Sequence, residues 1–250
     1  MPTILKIPLA SEELPRIQPV HLPALFLRCI AEHAPDLAQK LRDEPPPRPY
    51  TLSKFYRRDG VGYWRVGLLR DDVRDPFLTS LRKTSALPLK TGEVLVKIDE
   101  IRQHHVPYEE LLNDTQASGY RLHFLSPTGF RTQLVTYPLP DPMGMIQSWW
   151  NRWNHFSAMK LDRVLLDAVA VHLAVARCKI RTRIIHLGVS KQIGFVGSVT
   201  LKLVKAHKLG KDVLQQFDAL ADYAEFCGTG QRTAQGMGQT RRYHYHRSSG

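Results

Sequence analysis

The feature that most constrains this chain is a rhythm of elements that runs through it twice. Residues 3–10, with the β-branched Thr3, Ile4 and Ile7, predict a short strand. Residues 22–33 carry Leu22, Leu25, Phe26, Cys29 and Ile30 at helical spacing. Pro35 stops or restarts that helix, because proline is tolerated only in a first turn. Residues 36–41 predict a second short turn of helix, and EPPPRPY is a rigid connector. Residues 51–57 and 61–69 read as two strands joined by a turn at Asp59 and Gly60. Residues 71–85 predict a helix and 93–101 a strand. The order is β-α-β-β-α-β, the ferredoxin-like pattern.

A polar, turn-rich stretch at 113–119 predicts the boundary, and the rhythm then repeats. Residues 120–125 predict a strand, and 143–176 are helical with an interruption near Ser157. Residues 177–187 and 195–203 predict a strand pair. Residues 212–224 form a helix with Val213, Phe217, Leu220 and Tyr223 on one face, and 239–245 a last strand. The expectation is an α+β chain of tandem ferredoxin-like domains. The first, 1–116, is expected to carry a catalytic helix; the second, 117–250, a basic face and a glycine-rich loop.

Charge narrows the partner. Lys and Arg number 35 against 23 Asp and Glu, a net +12 with a pI near 9.8. Such an excess points to a polyanion, nucleic acid first and an anionic membrane second, with a merely soluble basic protein as the plain alternative. Residues 177–250 hold 13 basic against four acidic residues, +9 of the total, so the second half is expected to carry the binding face. No run approaches the length of a membrane span, and the N-terminus lacks the pattern of a secretory signal. Cys29, Cys178 and Cys227 are far apart and odd in number, which argues against a disulfide framework or a cysteine zinc site. A reducing, cytoplasmic setting is expected. No metal site and no cofactor are expected.

The most informative stretch is CGTGQRTAQGMG, residues 227–238, lying between a helix and a strand. Gly228, Gly230, Gly236 and Gly238 permit positive φ and close backbone approach. Two readings stand side by side: an anion nest with Arg232 as a phosphate partner, or a helix cap followed by a bulged turn. It is neither a P-loop nor a dinucleotide fingerprint, because the element order is wrong for both.

This loop resembles the C-terminal glycine-rich signature of CRISPR-associated endoribonucleases that cut repeat RNA, in the RAMP superfamily. Three other stretches resemble the same family in the same order. Gly194-Phe195-Val196-Gly197 opens a strand. Phe124-Leu125-Ser126-Pro127-Thr128-Gly129-Phe130 resembles the start of the second half. Leu41-Arg42-Asp43 with Arg48-Pro49-Tyr50-Thr51-Leu52-Ser53 resembles the family's helix, linker and strand. The resemblance spans nearly the whole chain and implies the tandem ferredoxin-like fold. It also implies metal-independent cleavage: a ribose 2′-OH attacks the adjacent phosphate, leaving a 2′,3′-cyclic phosphate and a 5′-OH. The implied partner is CRISPR repeat RNA, stem-loop or unstructured, with a CRISPR effector complex as a further partner.

One position departs from the family, which commonly has histidine where Arg42 stands. Arginine cannot exchange protons, though it can stabilise a charged transition state. The proton-transfer role is then expected at His33, at the end of the first helix, with His21 second. Each is weighed against an ordinary packed or surface histidine. Arg28 is a candidate phosphate ligand. Tyr50 is a candidate for orienting the scissile nucleotide, with a half-buried strand tyrosine as the plainer reading.

RNA contacts are expected from Gly228, Gly230, Arg232, Thr233, Gly236 and Gly238, and from Lys179, Arg181, Arg183, Lys191 and Lys202. Alternation puts Lys179, Arg181 and Arg183 on one face, which follows a phosphate backbone or is a solvated edge. Trp149, Trp150 and Trp153 offer stacking surfaces, though their helical spacing favours the core. The tail from Arg241 mixes basic and aromatic residues, as single-strand binders do. The first functional reading is an endoribonuclease that matures CRISPR RNA. A non-catalytic RNA-binding subunit of the same system is the alternative, kept open by Arg42. A tandem RNA-recognition module without CRISPR context is weaker, because no RNP1-like aromatic strand is present.

Overall fold

The computed structural model describes residues 1–11, 13–89, 92–112 and 119–243. The first unit starts with β1 (Thr3–Leu9), followed by α1 (Leu22–Ala31) and α2 (Pro35–Asp43). Next come β2 (Tyr50–Leu52), β3 (Tyr56–Arg58), β4 (Val61–Leu68) and α3 (Asp71–Thr84). The hairpin β5 (Ala86–Leu89) and β6 (Gly92–Leu95), then β7 (Arg102–His105) and α4 (Tyr108–Leu111), complete it. The main sheet runs β2-β4-β1-β7 and is antiparallel, with β3 also paired to β4. Leu5, Ile7 and Leu9 point from β1 into a core closed by Phe26, Trp64 and Phe77. Burying each such side chain contributes about 1.5–3 kcal/mol. The alternate residues, Ile4 and Lys6, fall on the opposite face.

The second unit contains β8 (Gly119–Thr128), the hairpin β9 (Phe130–Thr132) and β10 (Val135–Tyr137), α5 (Pro142–Phe156) and α6 (Val164–His172). It continues with β11 (Leu173–Leu187), β12 (Ser190–Leu203), α7 (Lys211–Cys227) and β13 (Thr240–Tyr243). Its sheet runs β11-β12-β8-β13, all antiparallel. In both sheets the two inner strands are the first and third of the β-α-β-β-α-β order, which is the ferredoxin-like arrangement expected from the sequence. Asp141 caps α5 by accepting from Met143 N and Gly144 N at 3.2 and 3.0 Å. Trp149 and Trp153 are fully buried in this core, so they stack on protein rather than on bases. No helix among the described residues is long and apolar enough to cross a membrane.

Four expectations are corrected or fall outside. Residues 51–57 form not one strand but two, β2 and β3, both paired to β4. The strand expected at 93–101 is β6 followed by a 3₁₀ turn; the edge of the main sheet is β7 instead. Every residue of β7 is exposed, so it carries no apolar pattern to detect. Residues 173–176, expected to end a helix, begin β11. The expected boundary at 113–118 and the tail from 244 lie outside the described residues.

The units touch through the face of the first sheet opposite its helices. Phe226, at the end of α7, stacks on His104 of β7 with ring centroids 5.4 Å apart. Its carbonyl accepts from Thr51 Oγ1 at 3.3 Å. A methyl group on Gly67 of β4 would stand 2.4 Å from that same carbonyl, so glycine is what allows the approach.

Candidate nucleic-acid interface

Beside that contact, the two sheets turn polar faces toward one cleft. In the first sheet, register aligns Arg102 of β7, Lys6 of β1 and Arg65 of β4. In the second sheet it aligns Lys179, Ser198, His123 and Arg241 across all four strands. The adjacent row is Arg177, Thr200, Arg121 and Tyr243. Alternation explains both rows: Leu5 and Ile7 flank Lys6, and Tyr120, Leu122 and Phe124 interleave Arg121 and His123, with the apolar members in the cores.

Within that cleft lies a cavity of about 890 Å³ lined by residues of both units. Its lining includes Arg16, Lys54, Arg57, Arg58, Arg65, Arg183 and Arg241, and no Asp or Glu among the described residues. Electrostatics register the crowding. Burial first, then Arg58 and Arg102, pull the Lys6 ammonium below its ordinary pKa. Burial first, then Arg241 and Arg121, push the His123 imidazole down. His123 Nδ1 lies 2.9 Å from Ser198 Oγ. Lys6 Nζ sits 3.8 Å from the Tyr63 ring centre, and Tyr56 and Tyr63 pair at 5.9 Å. Cations interleaved with half-exposed aromatic rings suit a phosphate chain with unstacked bases.

The expected binding residues divide. Lys179, Arg181 and Arg183 share the cleft-side face of β11, and Lys202 falls on the same side through its row neighbour Thr200. Lys191 pairs with His186, out of phase with that row, and so lies on the other face of the ribbon. Gly236 lines the cavity. Gly228, Gly230 and Gly238 do not form an anion nest, because their amides are engaged inside the protein. Gly228 N donates to Ala224 O at 3.0 Å, and Thr229 N to Gly238 O at 2.8 Å. Gln231 N reaches Gly129 O at 3.1 Å, and Gly238 N reaches Pro127 O at 3.0 Å. Gly230 N donates to Ser148 Oγ at 3.1 Å. Gly228, Gly230 and Gly238 have positive φ and sit against backbone, as a capped and bulged turn requires. Arg152 braces the turn, donating to Gly230 O at 2.7 Å and lying 3.5 Å from the buried Thr233 Oγ1. Arg232 is exposed and bonds Gln235. Arg241 reaches the cleft as a tail residue, whereas Arg242 is buried on Asp218 and Asp222.

The expected catalytic residues lie along α1 and α2. His21 is exposed where the chain leaves the cavity lining at Pro19 and enters α1; the 3₁₀ turns Pro19–His21 and Thr233–Gln235 touch. His33 lies beyond the other end of α1, about 15 Å away along a ten-residue helix. It is exposed, with Nδ1 3.4 Å from Ser80 Oγ of α3. Arg28 is half-buried on α1, and Arg42 is exposed at the end of α2, bonded to Gln39 at 3.1 Å. Tyr50 cannot orient a nucleotide: it is 1% exposed, its ring is 4.4 Å from Phe26, and burial raises its hydroxyl pKa. Sequence reasoning missed Lys6, Arg58, Arg65, Arg102, Arg121 and His123. For Lys6, Arg65, Arg121 and His123 the signal is polar residues alternating with apolar ones in half-buried strands; Arg58 and Arg102 carry no such signal.

The C-terminal half carries a likeness to a known family. Residues 122–240 match the model described as CRISPR-associated endoribonuclease Cas6. The chain is similar to the Cas6 family over these residues. A Thermus thermophilus Cas6 product complex is similar over 97% of this chain and 99% of its own, with 26% identity and a TM-score of 0.85. A second Cas6 product complex covers 98% of this chain and 100% of its own, at 25% identity and a TM-score of 0.82. A Cas6-related protein from Pyrococcus furiosus, 12% identical over 97% of this chain and 98% of its own with a TM-score of 0.66, shares the fold. No curated protein sequence matches. This likeness to Cas6 agrees with the resemblance read from the glycine-rich loop.

Proposed function

We propose that this protein is an endoribonuclease that binds CRISPR repeat RNA and cuts it by 2′-OH attack without a metal ion. The observation that carries the reading is the meeting of two cationic strand rows, one from each sheet, in a single cleft. The match of residues 122–240 to the Cas6 model and the similarity to Cas6 product complexes support the substrate class. The proposed division is an N-terminal domain, 1–116, bearing the proton-transfer group and a C-terminal domain, 117–250, bearing most of the RNA-binding strands. The proposed setting is the cytoplasm.

In this scheme a base takes the 2′ proton, O2′ bonds to phosphorus, and the bond to O5′ breaks as an acid protonates that oxygen. We assign the base to His33. Ser80 Oγ gives its proton to the Cys29 carbonyl, so it accepts from His33 Nδ1, and the lone pair falls on Nε2. Arg42 and Arg28 supply positive charge near the phosphate. His21, at the cleft mouth, is the competing assignment. The non-catalytic alternative rests on one observation: Arg42, which cannot move a proton, stands where the family commonly has histidine.

The test is single-turnover cleavage of a repeat RNA in excess EDTA, with ribose and 2′-deoxyribose at the scissile position. Cleavage of the first and not the second is expected, with a 2′,3′-cyclic phosphate end. Loss of activity in EDTA that added metal restores sinks the metal-free scheme. Cutting by His33→Ala at the wild-type rate but not by His21→Ala moves the role to His21. Tight binding with no cutting of the genomic repeat establishes the RNA-binding subunit.

A further inference from the structure

The cavity floor holds a neutral side chain among its cations. Gln239 lines the cavity yet is only 2% exposed. Its backbone is pinned on both sides: its amide donates to Ser126 Oγ at 2.9 Å, and its carbonyl accepts from Leu125 N at 2.8 Å. Its side-chain oxygen accepts from Arg65 Nη1. Arg65 comes from the opposite sheet and also donates to Glu225 O at 2.5 Å. A guanidinium has donors only, so the amide cannot be turned over: Oε1 must face Arg65, and Nε2 must face away from it. Gln239 Nε2 is the one buried side-chain nitrogen without a protein partner among the described residues. A buried donor left unpaired costs about 1–3 kcal/mol. That cost points to a ligand acceptor that completes the site.

We infer that Gln239 is a specificity-determining residue that reads a nucleobase keto oxygen, preferring uracil or a 6-keto purine over cytosine or adenine. The inference rests on the RNA-binding reading and deepens it. Phosphate is the less suitable acceptor, because Arg58, Arg241 and Lys54 line the same cavity and bind anions more strongly than a neutral amide. A fixed NH₂ discriminates by position and polarity. A keto oxygen at the base's 4 or 6 position accepts from it, whereas an amino group there sets donor against donor and leaves both unpaired. Arg65 is then a positioning residue whose bond to Oε1 prevents the amide from flipping to read the opposite pattern.

The experiment uses the full chain and four probes of equal length: oligouridylate, oligocytidylate, oligoinosinate and oligoadenylate. Affinities are measured at two salt concentrations by fluorescence anisotropy. The expected result is about tenfold tighter binding of each keto probe than of its amino counterpart. Gln239→Glu, which presents an acceptor in place of the donor, should reverse the preference; Gln239→Leu should erase it and keep the salt dependence. The wild-type series stands alone if a variant fails to fold. Equal, salt-dependent binding of all four probes overturns the inference and leaves RNA binding intact. A keto preference that survives in folded Gln239→Leu also overturns it, making Gln239 a brace between the units. Absence of salt-dependent binding to any probe overturns both this inference and the RNA-binding reading.

Discussion

Ser80 determines which nitrogen of His33 is basic. The buried Ser80 hydroxyl, on α3, gives its only proton to the Cys29 carbonyl and turns a lone pair toward His33 Nδ1, 3.4 Å away. Nδ1 therefore carries the imidazole hydrogen, and Nε2 carries the lone pair a general base needs. His33→Ala should lower the single-turnover rate by about 10²–10⁴. Ser80→Ala should lower it by about tenfold, with RNA affinity unchanged, because both tautomers then become available. An unchanged melting temperature in Ser80→Ala separates this from a packing defect. An unchanged rate would remove the orienting role.

The cationic rows make a prediction about salt. Arg121 and Arg241 project from neighbouring strands, one register step apart. If each meets one phosphate, replacing either with alanine should flatten the slope of log affinity against log salt by about 0.7 on single-stranded RNA. Replacing both should flatten it by roughly twice that. Replacing Lys191, on the other face of the ribbon, should leave the slope unchanged. Equal slopes for all these variants would place the RNA elsewhere.

His123 should couple RNA binding to pH. Burial, Arg241 and Arg121 hold its pKa below the ordinary value, so it is neutral in the free protein near pH 7. A phosphate placed between it and Arg241 favours the imidazolium, and binding then takes up a proton. Affinity should rise as pH falls from about 7.5 to 5.5, and His123→Gln should remove that part of the rise. Stability runs the opposite way. A histidine whose folded pKa is depressed contributes fully above its unfolded pKa, near 6.5, and the contribution is lost as pH falls toward the folded value. Anisotropy titrations and thermal melts across this range read both effects.

The glycines of the loop should separate into packing and binding positions. At Gly238, φ is +69° and a methyl group would stand 2.1 Å from Thr229 O. Gly238→Ala should therefore destabilise the protein by about 2–4 kcal/mol. At Gly236, φ is +81° but the nearest atom to a methyl group is Lys54 Cγ at 3.1 Å, on a flexible side chain. Gly236→Ala should cost about 1 kcal/mol. Gly236→Val, which reaches further into the cavity, should weaken RNA binding by at least tenfold, about 1.4 kcal/mol. Melting and binding curves for the three variants are the check, and equal melting temperatures for the two alanine variants would contradict the packing account.

Much of the fold was legible in the residues because its signals are local. Alternation in β1 and β8, helical spacing in α1 and α7, and the Asp59–Gly60 turn with both φ positive need no distant partner to be recognised. β7 was not legible, because Arg-Gln-His-His is exposed throughout and owes its place to backbone pairing with β1. The glycine-rich loop was marked as special with two readings open, and the hydrogen bonds of Gly228, Gly230 and Gly238 fit the helix cap and bulged turn, while Gly236 is the glycine of the loop that lines the cavity.

The sequence by itself determined the two-unit rhythm, the family resemblance, the basic excess that points to a polyanion and the shared face of Lys179, Arg181 and Arg183. Periodicity and charge are properties of a chain read one stretch at a time. Only the tertiary structure decided that Lys6 and Arg65 look across at Arg241, that Trp149 and Tyr50 are core, and that Arg65 holds Gln239 in one orientation. Alternation says which residues share a face of a strand, but not which face meets another sheet. That depends on strand order and on the docking of the two units, set by pairings such as Lys6 with Arg65 and by contacts such as Arg65 with Gln239, which is 174 positions away.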